Sequence, residues 1–250
     1  MSGHSKWATI HRQKEVTDAK RGQAFTKLAN AIIVAVRAGG GMTDPDSNFK
    51  LRLAIEKARQ FNMPKENIQR AIERGGGAGG AGQWEEVVYE GYGPGGIAIV
   101  VEAATDNKQR TAQEIKNLFE KGGGSLAGPG AVAYQFEKKG FLTLAKPQNT
   151  EEEILRIIDL GVEDVEEAPD ALEVYTKPEE LDLVKKKLEE AGFTVTSFEQ
   201  IMKPKITIDV TQIEKARQIL SFLEKLEDND DVQKVFANFD IPAEIVSQVT

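Results

Sequence analysis

Residues 75–82 read Gly-Gly-Gly-Ala-Gly-Gly-Ala-Gly. A run with no side chain larger than a methyl group has almost no apolar surface to bury, so its composition predicts a flexible linker. It divides the chain into a short head and a longer remainder that differ in kind. Before the run, apolar residues recur at helical spacing; after it, β-rich runs alternate with helical ones. The two parts also differ in charge. Through Arg74 there are 14 Lys and Arg against 7 Asp and Glu, a balance of +7; beyond it there are 18 against 33, a balance of −15. The net charge of −8 thus conceals a basic head on an acidic body. Such asymmetry points to a polyanion-facing end, with a body that repels indiscriminate phosphate binding.

Within the head, Met1 to Lys27 is polar and shows no apolar periodicity until Phe25. It carries Lys6, Arg12, Lys14, Lys20, Arg21 and Lys27 against Glu15 and Asp18, with Trp7 among them. Cations meet phosphates and a ring stacks on a base, so the stretch reads as a nucleic-acid-facing arm. A solvated terminus is the plainer alternative on charge alone. Thr17 or Asp18 caps a first predicted helix, to about Ala38, with Phe25, Leu28, Ala29, Ile32 and Val36 as its apolar stripe. A second, from Asn48 to Phe61 behind Asp46 or Ser47, buries Leu51, Ala54, Ile55 and Ala58. A third starts at Pro64, ends near Arg74, and turns Ile68, Ala71 and Ile72 inward. Lys20 and Lys27, like Arg52 and Arg59, lie seven apart and share helix faces that extend the basic surface. The second and third helices read as a packed hairpin rather than a helix-turn-helix, because the third offers few base-reading residues.

Beyond the linker, Glu85–Tyr89 and Ile97–Ala103 flank a glycine-rich turn and read as a hairpin. A helix over Lys108–Lys121, a glycine-rich loop over Gly122–Gly130 and a strand over Val132–Phe136 follow. Strand Phe141–Ala145, helix Glu151–Leu160, strands near Val162–Glu166 and Leu172–Thr176, a helix from Lys177-Pro178 to Ala191 and strand Val195–Met202 give the order βαββαβ of a ferredoxin-like unit. The closing helix, Gln212–Leu226, and strand Asp231–Phe239 cannot form a domain alone. Joining them to the hairpin segment leaves the ferredoxin-like unit as an insertion. The expected fold is α+β, a small N-terminal three-helix domain plus two α/β-sandwich-type domains, one ferredoxin-like and inserted into the other. The expected boundaries are 1–75 for the helical domain with its arm, 76–82 for the linker, 83–137 with 204–250 for the discontinuous domain, and 138–203 for the insert.

Catalytic chemistry finds little footing. There is no cysteine, hence no disulfide and no thiol nucleophile. His4 and His11 fit no metal-ligand spacing, and both read better as neutral polar neighbours of phosphates or RNA bases. No Ser, His and Asp trio suggests a nucleophile. Glu227, Asp228, Asp230 and Asp231 form an acidic turn that reads as a solvated loop rather than a calcium site. Lys108 and Arg110 stand at a helix N-terminus and mark a secondary anion site, beside the plainer reading of Asp106 or Asn107 as a cap. No metal or other cofactor is expected. No apolar run reaches membrane length, and a cytoplasmic protein is expected.

The stretches GHSKWATIHRQKEVTDAKRGQAFTKL, LRLAIEKARQFNMPKENIQRAIERG, YEGYGPGGIAIVVEAATDNKQRTAQEI, AVAYQFEKKG and DVQKVFANFD together resemble the YebC family over essentially the whole chain. A local departure is TIHRQKEVTDAKRG, where relatives carry a denser lysine run. The resemblance implies a three-domain layout and DNA-binding transcriptional regulation. It also implies an alternative, a translation factor that binds ribosomal or transfer RNA with the large ribosomal subunit as a partner, because other members are associated with ribosomes, where they assist synthesis of proline-rich stretches. The expected function is that of a non-enzymatic nucleic-acid-binding regulator whose partner is duplex DNA or ribosomal RNA. Its expected contacts are Lys6, Trp7, His11, Arg12, Lys14, Lys20, Arg21, Lys27, Arg52 and Arg59.

Overall fold

The structure, a computed structural model, describes residues 18–77, 84–147 and 149–249. The arm before residue 18 and most of the glycine run therefore lie outside the described residues. Three helices form the head: α1 (Asp18–Ala38), α2 (Phe49–Gln60) and α3 (Lys65–Gly75). Leu28, Ile32 and Val36 of α1 meet Leu51, Ile55 and Ala58 of α2 and Ile68, Ala71 and Ile72 of α3 in one apolar cluster. A Cβ added at Gly75 would lie 2.7 Å from the Val36 Cβ, so a glycine lets α3 approach α1 this closely. Asn48, rather than Asp46 or Ser47, caps α2. Its Oδ1 accepts the Leu51 N–H at 3.1 Å, while its amide donates to the carbonyls of Ala35 and Met42. One buried side chain thus closes one helix and starts the next.

The body opens with the hairpin β1 (Glu85–Tyr92) and β2 (Ala98–Thr105), whose turn places Gly95 and Gly96 at positive φ. Helix α4 (Lys108–Gly122) follows, capped by Asn107. The third strand of this sheet is β3 (Ser125–Ala127), inside the segment read above as a glycine-rich loop. The expected strand at Val132–Phe136 is replaced by a 3-10 turn over Ala133–Gln135. The cause is distant in sequence. The buried Glu90 carboxylate of β1 accepts N–H groups from Gly130 at 2.7 Å and from Val132 and Ala133 at 2.8 Å, which curls the backbone around it.

The insert runs β4 (Phe136–Ala145), α5 (Thr150–Asp159), β5 (Asp164–Glu167), β6 (Ala171–Thr176), α6 (Leu181–Glu190) and β7 (Val195–Pro204). Its four strands lie in the order β5-β6-β4-β7, all antiparallel, which is the ferredoxin-like arrangement. Strand β4 begins at Phe136, earlier than the expected Phe141, and Phe136 pairs with Pro204. Entry and exit are therefore neighbours, as an inserted unit needs.

After β8 (Ile208–Asp209) the chain forms α7 (Ile213–Glu227), β9 (Val232–Ala237), β10 (Phe239–Asp240) and α8 (Ala243–Val249). Strand β8, the separate strand β10 and helix α8 are not among the elements expected from sequence. Strand β9 joins the first sheet in the order β3-β1-β2-β9, while β8 and β10 pair separately. Strand β2 is covered on both sides, which explains its nearly unbroken apolar run. Ile99 and Val101 face a core with Ile115, Phe119, Ile219 and Phe222 of α4 and α7. Ala98 and Val100 face Phe141, Tyr175 and Ile201 of the insert.

Candidate nucleic-acid interface

Among the ten expected contact residues, Lys6, Trp7, His11, Arg12 and Lys14 lie outside the described residues. Lys20 and Arg21 fall in the first turn of α1, where only the backbone is described. Arg52 and Arg59 stand on one side of α2. Arg59 is exposed in the last turn. The Arg52 guanidinium lies 5.6 Å from the Phe49 ring centroid, a cation–π contact that holds it near the helix start.

Lys27 is placed differently. Its ammonium is half-buried and donates to the backbone carbonyl of Glu227 at the end of α7. Burial lowers its pKa from the usual lysine value, against the opposing pull of Glu227, Asp228 and Asp230. The same side of α1 sends the Gln23 amide to the Asp228 carbonyl at 3.5 Å and the Asn30 amide to the Asp230 carbonyl at 3.4 Å. Positions 23, 27 and 30 follow the i, i+4, i+7 stripe of one helix face. Helix α1 therefore has two covered sides, an apolar one on α2 and α3 and a polar one on the acidic turn. The sequence held a signal for the second, since a polar stripe runs beside the apolar one, but nothing in it named the partner.

Three ion pairs between head and body also oppose charges. Lys50 lies 3.3 Å from Glu86, and Lys57 lies 3.4 Å from Glu199 of β7. Lys185 of α6 lies 3.1 Å from Glu56. Trp84, just past the glycine run, packs partly buried against the helical cluster.

The secondary anion site at Lys108 and Arg110 is taken up by carboxylates instead. Arg110 lies 2.7 Å from Asp231, 3.1 Å from Asp106 and 4.0 Å from Glu114. Its hydrogen bond to Asp231 is the main cause of a raised pKa. Lys108 lies 3.9 Å from Glu85. The Arg110 N–H is occupied too, donating to the Asn107 cap at 3.1 Å. Asp231 is itself buried and also accepts the hydroxyls of Thr111 at 2.6 Å and Thr105 at 3.3 Å. Asn107 thus caps α4 as the sequence allows, and the two cations beside it face carboxylates.

Among the described residues no group of three or more His, Asp and Glu is placed to hold a metal ion. No helix of the described residues is long and apolar enough to cross a membrane.

Two family models match the chain. One, described as the TACO1/YebC protein N-terminal domain, covers residues 5–78; the other, described as the TACO1/YebC second and third domain, covers residues 84–239. The chain is 48% identical over 252 residues to a protein of Moorella thermoacetica named a probable transcriptional regulatory protein, covering 100% of this chain and 99% of that one. A protein of the same name from Chloroflexus aurantiacus is 50% identical over 251 residues, covering 99% of each. The crystal structure of a conserved hypothetical protein, Aq1575 of Aquifex aeolicus, superposes with a TM-score of 0.84 at 45% identity, covering 93% of this chain and 96% of that one.

Proposed function

We propose that this chain, which belongs to the TACO1/YebC family, is a non-enzymatic, cytoplasmic regulator of gene expression that binds nucleic acid through its basic head. The observation that carries this reading is the division of charge, +7 through Arg74 against −15 beyond it. Cations gathered at one end of an acidic protein orient that end toward phosphates and turn the rest away. The relatives named probable transcriptional regulatory proteins favour duplex DNA as the partner and transcription as the process.

A second reading, a translation factor that binds ribosomal RNA, is favoured by the outer surface of the head. Helix α3 exposes Glu66 and Glu73 beside Lys65, Arg70 and Arg74, and the Arg70 guanidinium is drawn to Asn67 at 2.6 Å. Carboxylates interleaved with cations suit a major groove poorly. An arm with one Trp suits the splayed bases of folded RNA.

Sedimentation with large ribosomal subunits, in moderate salt and with excess duplex DNA present, separates the two. Protein that stays with the DNA supports transcriptional control. Protein that travels with the subunits, and is released when Lys6, Arg12 and Lys14 become Gln, supports the ribosomal reading. Protein that binds neither overturns both.

A further inference from the structure

The polar side of α1 has a chemistry that its present neighbour does not exhaust. Gln23, Lys27 and Asn30 present donors along one stripe, and all three are directed at main-chain carbonyl oxygens of Glu227, Asp228 and Asp230. A row of donors with a central cation is what a phosphate backbone accepts. The turn that occupies it supplies main-chain carbonyl acceptors and the negative charges of Glu227, Asp228 and Asp230, which act on Lys27, while the Asp231 carboxylate is committed to Arg110 and Thr111; acceptors and negative charge together are what a polyanion offers. The stripe belongs to the same helix as Lys20 and Arg21, and the basic arm precedes it directly in sequence. We infer that the side of α1 bearing Gln23, Lys27 and Asn30 is a second polynucleotide-contacting surface, and that the turn at 227–231 is its internal competitor, displaced when nucleic acid binds.

This inference rests on the nucleic-acid reading above and adds a regulation to it. In the absence of polynucleotide the acidic turn holds the head against the body. A bound strand takes over the donors of the stripe and separates the head from α7. Besides Trp84, which packs on the helical cluster, the remaining ties across the seam include the salt bridges of Lys50 with Glu86, Lys57 with Glu199 and the less exposed Lys185 with Glu56. Such pairs weaken in the presence of a competing polyanion.

The absence of cysteine allows dyes to be placed at Gln60→Cys on α2 and Ser221→Cys on α7, both exposed positions. Energy transfer in the full chain is followed while polyuridylate, or a random-sequence duplex DNA, is titrated to saturation. Transfer is expected to fall as binding saturates, with whichever of the two binds. Asp228→Asn together with Asp230→Asn is expected to tighten binding about threefold, the effect of removing two partly screened charges from the competitor. The control pair Glu189→Gln with Glu190→Gln, exposed on the insert, is expected to leave affinity unchanged. Saturated binding with unchanged transfer overturns the inference and leaves the parent reading intact, and so does equal tightening from the control pair. Failure of both polynucleotides to bind overturns the parent reading and this one with it.

Discussion

Glu90 and Asp231 show how single carboxylates shape this protein by gathering donors from distant parts of the chain. Burial would push the Glu90 carboxyl up, but the N–H groups of Gly130, Val132 and Ala133 outweigh it and hold the pKa below the usual carboxylate value. A depressed folded pKa stabilises the protein above the unfolded value of about 4.3, and the contribution is lost as pH falls through the folded value. Glu90→Gln should therefore cost about 2 kcal/mol at neutral pH, since an amide cannot accept all three bonds. It should also flatten the acid limb of stability against pH, and urea unfolding at neutral and acid pH reads both effects. Asp231→Asn is expected to cost about 1–3 kcal/mol, because Arg110 and Thr111 lose a charged acceptor at 2.7 and 2.6 Å. By contrast, Arg110→Gln should leave polynucleotide affinity within about twofold of the parent, the size of a screened surface charge. A large loss in a filter-binding or anisotropy titration would return Arg110 to the interface.

At the scale of elements, apolar periodicity carried most of the fold. The stripe of α1, the hairpin β1–β2 and the βαββαβ order were all legible, because each depends on neighbours a few residues apart. What failed did so where a distant residue decides the local conformation. The turn at Ala133–Gln135 replaces a strand because Glu90, some forty residues earlier, gathers its N–H groups. Strand β4 extends back to Phe136 because β7 offers a partner as far as Pro204. The polar side of α1 was visible as residues, but its partner lies two hundred residues away. The head should be sensitive at its two tightest junctions. Asn48→Ala removes the α2 cap and two donor bonds to carbonyls, and should cost about 1–2 kcal/mol. Gly75→Ala drives a methyl into Val36 and should cost about 1–3 kcal/mol. Thermal unfolding of each variant checks both values, and an unchanged midpoint for Gly75→Ala would show that α1 and α3 can separate freely.

For the whole molecule, the governing fact is that opposite charges are sorted onto different parts of one chain and then meet along a seam. Lys27 at the acidic turn, Lys50 at Glu86 and Lys57 at Glu199 face the body, whereas Arg59, Lys65 and Arg74 are exposed on the head. The same separation that orients the head toward phosphates supplies the contacts that hold it to the body, so binding and docking respond to salt together. The most direct test of a phosphate-binding head is the salt dependence of polynucleotide affinity, for the parent chain and for one in which Lys6, Arg12, Lys14, Lys20 and Arg21 are all Gln. If these five side chains meet phosphates of duplex DNA, the slope of log affinity against log salt should become shallower by about 4–5, with a large loss of affinity at low salt. On single-stranded RNA the change should be about 3–4. Equal slopes and equal affinities for the two proteins would contradict the account.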